Sequence, residues 1–148
     1  MKRFISIIIF LLLLILILTC ANQGFPPGGP EDKRPPRILY TFPPKDTTNV
    51  PLDTKLTFLF SEAVSPSSCE EALFITPFPG EDIKYKWKRD KELTISFGDS
   101  LLRDRTYVVT IGAGTKDRRN NPMQNSFTLA FSTGDVLDKA KISGLVYG

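Results

Sequence analysis

From Pro36 onward, apolar and polar residues alternate in short runs divided by turn residues, the period-two pattern of half-buried strands. Seven runs predict strands, at 38–42, 55–60, 73–76, 84–88, 92–97, 106–111 and 126–132. Four of them place a set of large apolar side chains on one face. These are Leu56, Phe58 and Phe60; Leu93, Ile95 and Phe97; Tyr107, Val109 and Ile111; and Phe127, Leu129 and Phe131. The connectors carry turn chemistry, as in Pro43-Pro44-Lys45-Asp46, Pro77-Phe78-Pro79-Gly80 and the run from Asp117 to Pro122. A single helical turn is expected over 67–73, capped by Ser67 or Ser68, with Glu70 and Glu71 near its positive end. Short strands at this spacing over 36–135 predict an all-β chain, an immunoglobulin-like β-sandwich of about seven strands.

The first residues follow another pattern. Lys2 and Arg3 precede an apolar run from Phe4 to Leu18, broken only by Ser6, which is the order of a signal peptide. As a helix this run would rise about 22 Å, short against a hydrocarbon core of about 30 Å. It ends in Ile17-Leu18-Thr19-Cys20, which resembles the lipobox of bacterial lipoproteins. The resemblance implies cleavage after residue 19 and lipidation of Cys20 on its sulfur and its new amine. An uncleaved helical anchor and ordinary secretory cleavage are the alternatives. Residues 20–35 continue with proline, glycine and only Phe25 as a large apolar side chain, so they read as a disordered, solvated tether.

Composition narrows the function. Loss of Lys2 and Arg3 with a leader lowers the net charge from +3 to +1, which leaves no electrostatic footprint for nucleic acid. Histidine is absent, so the commonest general base and a frequent metal ligand are missing. With Cys20 lipidated, Cys69 is the remaining cysteine and no disulfide framework can form; it reads as a small buried filler.

The order of motifs is more specific than any one of them. Phe42-Pro43-Pro44-Lys45-Asp46 and Asn49-Val50-Pro51-Leu52 precede Leu56-Thr57-Phe58 and Phe60-Ser61-Glu62-Ala63-Val64; Thr106-Tyr107-Val108-Val109, Asp117, Asn121-Pro122 and Phe131-Ser132-Thr133-Gly134 follow. This stretch resembles the bacterial Ig-like module named after the SbsA surface-layer protein. The resemblance implies structural roles: Asn49-Val50-Pro51 positions the opening strands, and Phe131 to Gly134 forms the last strand and its exit. Tyr107 stands where a tyrosine corner would put it, its hydroxyl turned back to backbone near Arg103 or Asp104. Cys20 with Gly28-Gly29-Pro30-Glu31-Asp32 and Pro35-Pro36 is also similar to Gram-negative lipoproteins that carry such a module after their tether. Residues 136–148 read as a linker and the first strand of a further domain, similar to carboxypeptidase-regulatory-like domains and truncated here. The other reading of this tail is a strand paired with an edge of the sandwich.

Candidate chemistry is sparse. Lys84, Lys86 and Lys88 alternate with Tyr85 and Trp87, putting lysines on one strand face and aromatics on the other. The expectation is a charged outer face that discourages edge pairing, with Trp87 packed inward. An exposed Trp87 would instead offer a stacking platform for a sugar ring. Glu62, Glu70 and Glu71 would need a cleft to act as paired catalytic acids. Asp99, Asp104, Asp117 and Asn120 suit turns better than a calcium loop.

The sequence therefore predicts a non-enzymatic, membrane-anchored Ig-like module, a structural spacer or interaction domain at the bacterial cell envelope. Its lipid would hold it to the membrane, with the outer membrane, on its periplasmic or surface side, the expected site. Lipidation is assigned to Cys20 and structural roles to Tyr107, Trp87, Phe58, Phe60, Phe127 and Phe131. No cofactor, metal or nucleic acid is expected, and the ligand would be a protein or glycan. The alternative is a carbohydrate-binding accessory module.

Overall fold

The computed structural model describes residues 3–5, 29 and 32–138. Cys20, the apolar run and its cleavage point, most of the tether and residues 139–148 lie outside the described residues. The chain divides into two units, Met1–Glu31 and Asp32–Gly148, and the sandwich is built within the second. Among the described residues no helix is long and apolar enough to cross a membrane.

Seven strands form: β1 (Ile38–Phe42), β2 (Leu56–Phe60), β3 (Leu73–Thr76), β4 (Ile83–Lys88), β5 (Glu92–Phe97), β6 (Thr106–Ile111) and β7 (Phe127–Ser132). They make a four-stranded sheet in the order β1-β2-β5-β4 and a three-stranded sheet in the order β3-β6-β7. All the ladders are antiparallel. This is the strand arrangement of a constant-type immunoglobulin sandwich.

The period-two residues meet between the sheets. Leu56, Phe58 and Phe60 of β2 and Leu93 and Ile95 of β5 are fully buried, as are Tyr107, Val109 and Ile111 of β6 and Leu129 and Phe131 of β7. Full burial of such a side chain stabilises by about 1.5–3 kcal/mol. Phe127 stays half-buried at the end of β7, yet its ring meets Phe58 edge to face at 6.4 Å. Phe97 is likewise half-buried, at the end of β5.

One connection does more than turn. After Pro43-Pro44 the chain crosses to the second sheet and runs along the free side of β7. Asp46 N–H donates to Ala130 O, Ser132 N–H to Thr47 O, Val50 N–H to Ser132 O and Asn49 N–H to Gly134 O, at 2.7–3.0 Å. Thr47 and Phe131 form a parallel bridge. Residues 46–50 therefore cover the β7 edge, and Asp46 and Asn49 adopt positive φ (61° and 54°) to follow it.

The helical turn differs from expectation. It spans Pro66–Glu71 (α1), its N-cap is Ser65 rather than Ser67 or Ser68, and the cap side chain makes no bond to the helix backbone. Pro66 sets the start, because its fixed φ suits the first helical position. Glu70 and Glu71 consequently fall in the last turn, not at the positive end.

Candidate functional site

The best-defined polar cluster lies at the turn from β5 to β6. Tyr107 is fully buried, with its ring stacked on Phe131 at 5.6 Å. Its hydroxyl accepts the Leu102 N–H at 2.9 Å. The donor is Leu102, next to Arg103. Thr133 braces the same turn. Its hydroxyl donates to Leu102 O at 2.7 Å and accepts from Arg105 N–H at 3.0 Å, closing the turn from both sides. Arg103 and Asp104 are left exposed at the tip, Asp104 with φ 53°.

A second cluster organises the loop between β6 and β7. Asp117 is almost fully buried, and its Oδ1 accepts the Arg119 and Asn121 N–H groups at 2.7 and 2.8 Å while Oδ2 accepts from Asn121 Nδ2 at 2.8 Å. Burial pushes this carboxyl up, but those bonds outweigh it and hold it below its ordinary 3.8. Asp117 is therefore a turn anchor. Asn121 also donates to Asp32 O, and Arg119 pairs with Asp32, which fastens the segment leading to β1 onto the loop. The Arg34 backbone and side-chain bonds lower the Asp32 pKa. Arg118 pairs with Asp90 in the turn between β4 and β5. Among the described residues no three of His, Cys, Asp or Glu gather to hold a metal.

Trp87 is half-buried rather than displayed. Its ring stacks on Phe60 at 5.9 Å and its indole N–H donates to Glu70 at 2.8 Å. That bond ties β4 to α1 and engages the polar handle, while Phe60 takes one face of the ring. Tyr85 is 36% exposed beside it. Lys84, Lys86 and Lys88 are exposed on the opposite face of β4, an edge strand, and Lys84 pairs with Asp82 at 3.3 Å. The carbohydrate-binding alternative, which called for an exposed Trp87, gains no support from this arrangement.

Cys69 is free and fully buried in α1, and burial pushes its thiol up to about 12. A thiol so far from ionisation is packing, not a nucleophile. Glu70 is committed to Trp87, and Glu71 is exposed at the helix end. Glu62 lies in an open groove of about 760 Å³ with Arg34, Arg37, Gln124 and Asn125. Two groups were missed in the sequence. Thr133 stands in the sequence only as part of the closing motif, and nothing in the run from Asp117 to Pro122 marks the Asn121 bonds to Asp117.

Two facing antiparallel sheets and a buried tyrosine bonded five residues back along the chain are features of an immunoglobulin-like domain. A model described as bacterial Ig-like domain matches residues 32–133. The chain belongs to this family. A comparison with curated proteins found no match. Among solved structures, an L,D-transpeptidase from Mycobacterium smegmatis is similar, at 18% identity and a TM-score of 0.52 over 68% of this chain and 41% of that one. The N-terminal part of the bacterial S-layer protein SbsC is similar at 19% identity and a TM-score of 0.44, over 65% of this chain and 23% of that one. The native E. coli alpha-2-macroglobulin matches at 18% identity and 0.48, over 68% and 6%. The chain spans less than half the length of each, and the likeness to the transpeptidase is one of fold.

Proposed function

We propose that this bacterial Ig-like domain is a non-enzymatic spacer or docking module held at the cell envelope by lipid on Cys20. The observation that carries the reading is the order of parts along the chain. A basic, apolar leader runs to Cys20, a Pro/Gly-rich stretch follows, and a bacterial Ig-like sandwich begins at once. Diacylation and amine acylation would hold it far more firmly than a single chain, at about 0.8 kcal/mol per buried methylene. The rigidity of the sandwich supports a mechanical or presenting role, since its hydrogen-bonded side chains tie loops to strands: Tyr107 and Thr133 at one turn, Asp117 and Asn121 at another, Trp87 and Glu70 between α1 and β4. In this reading the tether sets the distance from the membrane and the sandwich meets a protein or glycan partner. The test is fractionation of cells expressing the full chain. The wild type should sit in the membrane fraction, in the outer membrane of a Gram-negative host, and Cys20→Ala should move to the soluble fraction or stay as uncleaved precursor. An unchanged distribution and apparent mass for Cys20→Ala would remove the lipid anchor.

A further inference from the structure

The sandwich has four sheet edges, and three are obstructed. Residues 46–50 lie along β7. β4 carries Lys84, Lys86 and Lys88. β1 has an irregular register between Ile38 and Tyr40 and is bracketed by Pro35-Pro36 and Pro43-Pro44. Charges, bulges and prolines are the devices by which edges avoid further pairing. β3 carries no charge and no bulge, and its one flanking proline, Pro77, lies just past its end.

β3 reads Leu73-Phe74-Ile75-Thr76 without a charge or a bulge, and Phe74 is 66% exposed. Gly112 N–H donates to Ala72 O, and the β3–β6 register pairs Leu73 with Ile111 and Phe74 with Thr110. By the alternation of an antiparallel ladder, Phe74 and Thr76 face β6 with their backbone groups, and those of Leu73 and Ile75 point outward. Among the described residues, no hydrogen bond from a side chain or loop reaches them. Pro77 ends the row by lacking an N–H.

We infer that β3 is a self-association edge, and that it pairs antiparallel with β3 of a second copy of this chain about a two-fold axis at Phe74. With the two Phe74 residues opposite each other, Leu73 of one copy faces Ile75 of the other, so the outward N–H and C=O groups on both sides meet their complements. The Phe74 pair then occupies a non-hydrogen-bonded position, where opposing side chains come closest. Both exposed rings become covered. The complementarity extends to charge: no strand of the β3-β6-β7 sheet carries an Asp, Glu, Lys or Arg, so joining two copies through β3 opposes no like charges within the joined six-stranded sheet. The same pairing through β4 would set Lys86 against Lys86.

Opposed residues in a non-hydrogen-bonded pair lie about 4.5 Å apart between Cα atoms, within the range a disulfide bridges. The test is mild oxidation of membranes carrying full-length Phe74→Cys, beside Lys86→Cys and the wild type. The Phe74→Cys band should shift from monomer to a reductant-sensitive dimer of this chain while the other two stay monomeric. As a second readout, purified full-length wild type should sediment as a dimer and Phe74→Lys as a monomer with an unchanged circular dichroism spectrum. A Phe74→Cys band no more dimeric than Lys86→Cys, a cross-link to a different protein, or a monomeric wild type would each overturn the inference.

Discussion

The hydroxyl of Tyr107 accepts the backbone N–H of Leu102 at 2.9 Å, inside a ring stack with Phe131. A side chain fully enclosed by the core thereby satisfies a main-chain donor at the surface turn. Tyr107→Phe should keep the ring packing and lose that bond, lowering stability by about 1 kcal/mol. Urea denaturation of both proteins measures it, and equal midpoints with equal slopes would deny the corner an energetic role.

Asp117 gives the fold an acid-sensitive point. Its folded pKa lies below 3.8, so its contribution is fully present above the unfolded value and is lost as pH falls through the folded one. Asp117→Ala, which removes three accepted bonds, should destabilise by about 1–3 kcal/mol near neutral pH. The gap between wild type and variant should narrow as the pH is lowered from about 6 to about 3, through the carboxylate range. Thermal melts across that range check it, and a pH-independent gap would contradict the assignment.

Trp87 should act as a clamp between β4 and α1. Trp87→Ala should cost less than the removal of a fully buried ring, about 2 kcal/mol. Intrinsic fluorescence of the wild type should not change on titration with cell-wall glycan fragments, because Phe60 and Glu70 already engage the indole. A saturable change in emission would restore the carbohydrate-binding reading.

Cys69 should be silent until the domain opens. With its pKa pushed up to about 12 and its side chain buried, it should resist a thiol reagent in the native protein and react promptly in denaturant. Rapid native labelling would mean that α1 opens readily.

Much of this fold is legible in the sequence, because a strand with one buried face writes itself as alternation. The observed β1, β3, β5 and β6 have the expected bounds, and β2, β4 and β7 differ from them by one residue at their starts. Main-chain pairing leaves no such mark. The run of residues 46–50 along β7 is made by backbone bonds, so Asn49-Val50-Pro51 suggested a positioning role without showing where. Local competition also hides. Three serines near the start of α1 could serve as its cap, and Pro66 decided for Ser65. The turn that Tyr107 caps is also closed by Thr133, a residue 31 positions away from Leu102 in the chain. Such long-range choices depend on which turns the closed sandwich brings together.

The anchored-module account depends on the chemistry of one atom, the Cys20 sulfur. Mass spectrometry of the N-terminal peptide of the mature protein, extracted from membranes, tests it most directly. The account predicts a chain beginning at Cys20 whose mass exceeds the peptide mass by a diacylglyceryl group and an amine-linked acyl chain. An N-terminal peptide carrying an unmodified Cys20, whether internal or first, would contradict it.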